Sequence, residues 1–140
     1  MDIAHLIQSS VAPVFLLSGV AATLGVLTNR LARIVDRARK LEERYEAHPG
    51  SAKQLHADLA VLAKRAGYIN VAISLCAIAA LLVALVVVTL FANAFLGSEL
   101  GWVIALLFVA AMVCLSAAFI AFFIEVRLAM RELRIGLPQA

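Results

Sequence analysis

The residue of this 140-residue chain with most chemistry to offer is Glu125, which stands at the end of a long apolar run with Arg127 two positions on. A carboxylate near membrane depth either works as an ionisable group or anchors a helix end by reaching for the interface. A second apolar run ends in Asn29, Arg30 and Arg33. The signs predict an interhelical charge cluster of Asn29, Arg30, Arg33 and Glu125, with Glu125 paired to Arg30 or Arg33 within one subunit or across a subunit boundary. Other reactive types are sparse. His48 and His56, with Glu46 and Asp58, form the one metal-like constellation, and their spacing matches no ligand motif. Cys76 and Cys114 lie inside apolar runs, where a thiol behaves as a small hydrophobe, so no disulfide is expected. There is no Gly-rich phosphate loop and no Ser, His, Asp set on one side of the membrane. The expectation is a protein that is not an enzyme and holds no cofactor or metal.

The middles of the apolar runs contain no acidic, basic or histidine residue. This argues against a self-contained proton relay or charge-coupled transport, which need such groups along their path. The polar residues that remain are Asn70, Ser74, Thr89, Asn93 and Ser116. They are expected to bridge helices or to line a pore.

These residues must be positioned by membrane helices. Hydrophobic residues make up 64% of the chain and charged ones 15%, and the mean hydropathy is +1.01, the composition of an integral membrane protein. Three runs, about 7–29, 68–96 and 101–124, reach the roughly 20 residues that a helix needs to cross a hydrocarbon core of about 30 Å. Strands of this length would leave backbone polar groups unsatisfied in lipid. All twelve Lys and Arg fall between Arg30 and Arg65 or between Arg127 and Arg134, and such residues are held on the cytoplasmic side. No basic residue precedes the first run and several follow it, the order of an anchor with its N-terminus outside and not of a cleaved signal peptide. The layout predicted is a single membrane domain over 1–140. It has an external turn at 97–100, Trp102 at the outer interface and a cytoplasmic tail over 125–140.

Between the first two runs, apolar positions recur at Leu31, Ile34, Val35, Ala38, Leu41 and Tyr45, and again at Leu55, Leu59, Leu62, Ala66 and Ile69. Both sets keep the three-and-four spacing of a helix face. With Pro49 and Gly50 as the turn and Ser51 as N-cap, this predicts a cytoplasmic antiparallel helical hairpin over about 30–66, continuous with the membrane helices. The fold class expected is thus an all-α membrane protein of three transmembrane helices with that hairpin between the first and second. The polar face of the hairpin mixes Arg37, Arg39, Lys40 and Arg44 with Glu42, Glu43 and Glu46, the pattern of a solvated face with local ion pairs. Next to the bilayer, Arg30, Arg33 and Arg37 are candidate contacts for anionic lipid headgroups. Nucleic acid is not expected as a partner, given the modest net charge of +3 and the lack of aromatic residues among the basic ones.

Small residues form two stripes, Ser18, Ala22, Gly25 and Asn29 in the first run and Ala111, Cys114, Ala118 and Ala121 leading to Glu125 in the third. Small residues let membrane helices approach closely, so the two stripes are expected to pack on each other. Three helices with this much small-residue surface and an apolar hairpin seam point to a homo-oligomer.

Pro13, Leu16, Ser18 and Gly19, then the stretch Asn29 to Arg39, and finally Phe123-Ile124-Glu125-Val126-Arg127 resemble a bacterial family of small membrane proteins known as a domain of unknown function. The resemblance covers most of the chain and implies a bacterial inner membrane location, with no activity or substrate. In layout alone the chain is also similar to the ExbB, TolQ and MotA proton-channel subunits. Its short cytoplasmic insertion departs from theirs, and no pore motif matches residue by residue. The functional expectation is a homo-oligomeric helical assembly acting as an ion channel or pore. The alternative is a non-conducting scaffold or accessory subunit that recruits a membrane or cytoplasmic protein through its hairpin.

Overall fold

The computed structural model describes residues 3–47, 50 and 52–136, with side chains as far as Arg131. It consists of three helices, α1 (Ile3–Ala47), α2 (Ala52–Leu96) and α3 (Gly101–Gly136). The first two have 45 residues each and extend about 67 Å at 1.5 Å per residue, far more than the roughly 30 Å of a hydrocarbon core. Each of the three contains a stretch long and apolar enough to cross a membrane, and the chain is a multi-pass membrane protein. His48, Pro49 and Ser51, assigned above to the metal-like group, the turn and the N-cap, lie outside the described residues.

Helix α2 is the central element, packed against both α1 and α3, while α1 and α3 approach each other only weakly. The sequence explains this through its buried positions. On α2 they are Leu62, Arg65, Ile69, Ala72, Cys76, Ala79, Val83 and Val86, an unbroken alternation of three and four that forms a coiled-coil seam. On α1 the buried residues Leu6, Pro13, Val20, Leu27 and Ile34 recur every seventh position. On α3 the buried positions are Ala111, Ala118, Ala121 and Glu125. Val20, Leu27 and Ile34 share one core with Leu62, Ile69, Ala72, Cys76, Ala118 and Ala121. Large α1 side chains therefore fill the space that small residues of α2 and α3 leave open, the close packing on which membrane helices depend.

The expected pairing of small-residue stripes is corrected here. The α3 stripe is largely buried, but Ser18, Ala22, Gly25 and Asn29 on α1 are exposed. The α1 face that meets the core is the adjacent one, bearing Val20, Leu27 and Ile34. Small size permits close approach without naming the partner, and short connections make α2 the neighbour of both other helices. Below the apolar segments α1 and α2 continue side by side, with Leu31, Ala38, Leu41 and Ala66 packed against the core formed by Ile34 and Leu62. Val35, placed on that seam by periodicity, is 43% exposed.

The turn between α2 and α3 is closed by Asn93. Its carbonyl accepts the Gly97 N–H at 3.2 Å, and its Oδ1 accepts the Leu100 N–H at 3.1 Å. Gly97 has φ of +66°, a left-handed conformation that glycine adopts without steric cost at a helix C-terminus. Trp102, one turn beyond, is exposed at the end of the molecule opposite the arginines.

A candidate functional site at the charged end of the apolar segments

The apolar parts of the three helices end at one level, where each supplies a charged residue. Arg30 is the first basic residue of α1, Arg65 the last before the α2 apolar segment, and Glu125 the first charge after that of α3. Glu125 falls on the seam because it follows Ala118 and Ala121 at the same spacing, and Arg65 because it lies three after Leu62 and four before Ile69. Both charges therefore occupy positions that the helical repeat reserves for core residues.

Glu125 is fully buried and accepts hydrogen bonds on both oxygens. Its Oε2 takes Arg30 Nη2 at 2.6 Å and Nε at 2.9 Å, and its Oε1 takes Arg65 Nε at 3.1 Å. These are charge-assisted bonds from planar guanidinium forks, the strong class. The Arg30 guanidinium also lies 5.4 Å from the Phe122 ring centroid, within cation–π range. The side chain of Arg30 is 32% exposed and that of Arg65 11%, so the cluster opens towards solvent along α1 and is closed on the α2 side.

Asn29 and Arg33 stand outside this cluster. Both are exposed, and Asn29 lies on the stripe that faces away from the core. Arg65 is the member that sequence reasoning missed. Its signal was present, since running the α2 seam back from Ala79 through Cys76, Ala72 and Ile69 reaches Arg65 next. The hairpin face given by Leu55, Leu59, Leu62 and Ala66 passes just beside it.

The uncharged polar candidates are dispersed. Thr89 donates to the carbonyl of Leu85 in its own helix at 2.7 Å, and Asn93 belongs to the turn. Asn70, Ser74 and Ser116 are exposed on the outside of the three-helix unit. Ser10, Thr23 and Thr28 likewise bond back to carbonyls of α1, so these hydroxyls satisfy themselves locally. Cys76 is buried in the seam and Cys114 half-buried, both as free thiols.

Below the charge cluster a cleft of about 290 Å³ is lined by Arg30, Arg33, Ile34, Arg37, Arg65 and Ala129. A second, of about 400 Å³, continues along α1 between Arg37, Lys40, Leu41 and Arg44. Apart from Arg39, the Lys and Arg residues of α1 thus form a ladder at positions 30, 33, 37, 40 and 44, three or four apart and hence on one face.

Searches against curated proteins and against solved structures each returned no match, so the similarity of layout to proton-channel subunits carries no argument. The family described as Protein of unknown function (DUF2721) matches residues 10–135, and the chain belongs to that family.

Proposed function

We propose that the protein is a bacterial inner membrane scaffold, with its N-terminus outside, that presents a rigid helical stem to the cytoplasm for a protein partner and catalyses no reaction. The observation that carries this is the continuity of α1 and α2, which leave the apolar region as unbroken helices and run on for about 25 Å at 1.5 Å per residue. Their seam is apolar and their outer surface densely charged. The placement of every Lys and Arg at the stem end supports this orientation, since cytoplasmic segments retain such residues. The stem is pre-formed, so a partner would not have to bear the cost of ordering it.

Homo-oligomerisation accompanies this reading. Ser18, Ala22, Gly25 and Asn29 form an exposed stripe on α1, suited to close contact with a second copy. One observation favours conduction by such an assembly: Asn70 and Ser74 lie a turn apart on an exposed face of α2, where several subunits could turn them towards an axis. Within one subunit, the described core above the charge cluster is apolar except for Ser10, whose hydroxyl is taken up by the Leu6 carbonyl, so any passage would run between copies.

Site-specific photo-crosslinking in cells tests the scaffold, with probes at Arg39 and Glu43 and the mass of the native assembly measured in nanodiscs. The expected result is a discrete heteromeric adduct. It is lost when Arg39, Lys40, Glu43 and Arg44 are reversed in charge, while the subunit number is unchanged. Absence of any adduct, together with ion flux through liposomes that Asn70→Leu or Ser74→Leu abolishes, would replace the scaffold with a channel.

A further inference from the structure

We infer that the arginine cleft at the foot of the apolar segments binds the phosphate headgroup of an anionic phospholipid. The described lining consists of four arginines, Ile34 and Ala129, with no acidic residue. Arg33 and Arg37 are exposed and are in no ion pair with a described carboxylate. Both oxygens of Glu125, the carboxylate nearest to hand, are already occupied by Arg30 and Arg65. A phosphodiester is the group that a pair of guanidinium forks on adjacent turns matches, through parallel N–H to O bonds.

Position selects a lipid as the source of that phosphate. Arg30 marks the end of the apolar segment of α1, and Arg33 and Arg37 lie about 5 and 11 Å further along the axis. Headgroups occupy a layer of roughly 5–7 Å beyond the hydrocarbon on each side, so the backbone of Arg33 falls within it and that of Arg37 about 4 Å beyond it. Each long side chain can reach back into the layer. The apolar wall of Ile34 and Ala129 suits the glycerol and upper acyl region. Along α1 the ladder from Arg30 to Arg44 occupies one face, with Asp36 at its edge, a turn from Arg33 and Lys40, and with Glu42, Glu43 and Glu46 outside it. The site requires only the membrane setting, and it stands or falls separately from the scaffold reading.

The test uses the full chain purified in a mild detergent, with native mass spectrometry measuring retained lipid after equilibration with phosphatidylglycerol or phosphatidylcholine. The parent protein is expected to retain phosphatidylglycerol at least ~10-fold better, a ratio worth about 1.4 kcal/mol. Arg33→Gln/Arg37→Gln is expected to lose that preference. Both residues lie outside the Glu125 cluster, so the helical content by circular dichroism should be unchanged. Arg39→Gln/Lys53→Gln, which removes the same charge elsewhere, is expected to keep the preference. Equal retention of the two lipids, or equal loss in the two double variants, would overturn the site in favour of general electrostatics. Displacement of phosphatidylglycerol by millimolar inorganic phosphate would overturn the lipid assignment and identify a soluble phosphate as the ligand.

Discussion

Replacing Glu125 with Gln should unfold the protein far more readily than the loss of one hydrogen bond would suggest. The parent carboxylate is fully buried and accepts three bonds from two guanidinium groups. The amide keeps a single acceptor oxygen and turns a donating NH₂ group towards one of the arginines. Two cations then face each other at the end of the apolar region without the anion between them. Removing one member of a buried ion pair costs about 3–5 kcal/mol, because the partner loses the charge that offset its desolvation. The lower end applies here, since Arg30 is one-third exposed and can swing into the interface. A loss of about 3 kcal/mol shifts the folding equilibrium about 100-fold. Reversible unfolding in mixed micelles with rising dodecyl sulfate, followed by far-UV circular dichroism, measures it. The companion variant Arg30→Leu/Arg65→Leu/Glu125→Leu removes all three charges together and should lie within about 1 kcal/mol of the parent or above it, as apolar replacement of buried ion pairs often does. A Glu125→Gln protein within about 1 kcal/mol of the parent, or a triple variant as damaged as the single one, would refute the role given to the stranded charges.

Two further effects follow from the packing. Gly97→Ala introduces no clash, since nothing lies within 4 Å of the added carbon. Its cost is the left-handed backbone alone, about 1 kcal/mol. Asn93→Ala should cost about half that, because the Leu100 N–H keeps the Ser98 carbonyl at 3.1 Å and loses only part of a net bond. Thermal unfolding in detergent ranks the two variants, and a larger loss for Asn93→Ala would reverse the reasoning. Ala118→Leu overfills the core and should destabilise the subunit by about 1–3 kcal/mol. Ala22→Leu, on the exposed stripe, should leave the subunit within about 0.5 kcal/mol. The same unfolding assay separates them, and equal losses would restore the pairing of stripes that the structure rejects.

The helices themselves were legible because length and hydropathy leave few alternatives in lipid, and the continuity of α1 and α2 through the charged stem could be read from the spacing of Leu31, Ile34, Ala38 and Leu41. The arrangement was harder to read. Ser18, Ala22, Gly25 and Asn29 look like an interface because they are small, but in a membrane helix small residues and lipid-facing ones carry no polarity contrast to orient them. What identifies the packed face of α1 is the seven-residue recurrence of Leu6, Pro13, Val20, Leu27 and Ile34, a signal hidden by equally apolar neighbours. Arg65 escaped for the opposite reason. A charge next to Lys64 at the start of an apolar run looks like a topological marker, and only the α2 seam carried through it shows that it points inward. Asn93 looked like an intramembrane polar group, and its role at the turn depended on the backbone of Gly97.

The buried charges raise a question that stability alone does not answer, since an apolar trio would hold the helices at least as well. The seam above them is built largely of small, similar residues, with Ala72, Cys76 and Ala79 on α2 and Ala111, Ala118 and Ala121 on α3. Sliding α3 past α2 by a heptad would open the turn that Asn93 closes, but it would set alanine against alanine again at little cost in packing along the seam. A single carboxylate that must meet Arg65 and Arg30 at once has one register in which all three are satisfied, and every other register leaves a charge in the core. We therefore expect the Leu triple variant to keep its stability and lose uniqueness. With spin labels at the exposed positions Lys53 on α2 and Val113 on α3, pulsed electron resonance should give one narrow distance distribution for the parent and a broadened or split one for the triple variant. A narrow distribution in both would show that the alanine seam fixes the register by itself, leaving the cluster to act through its charge on what binds at the cleft below it.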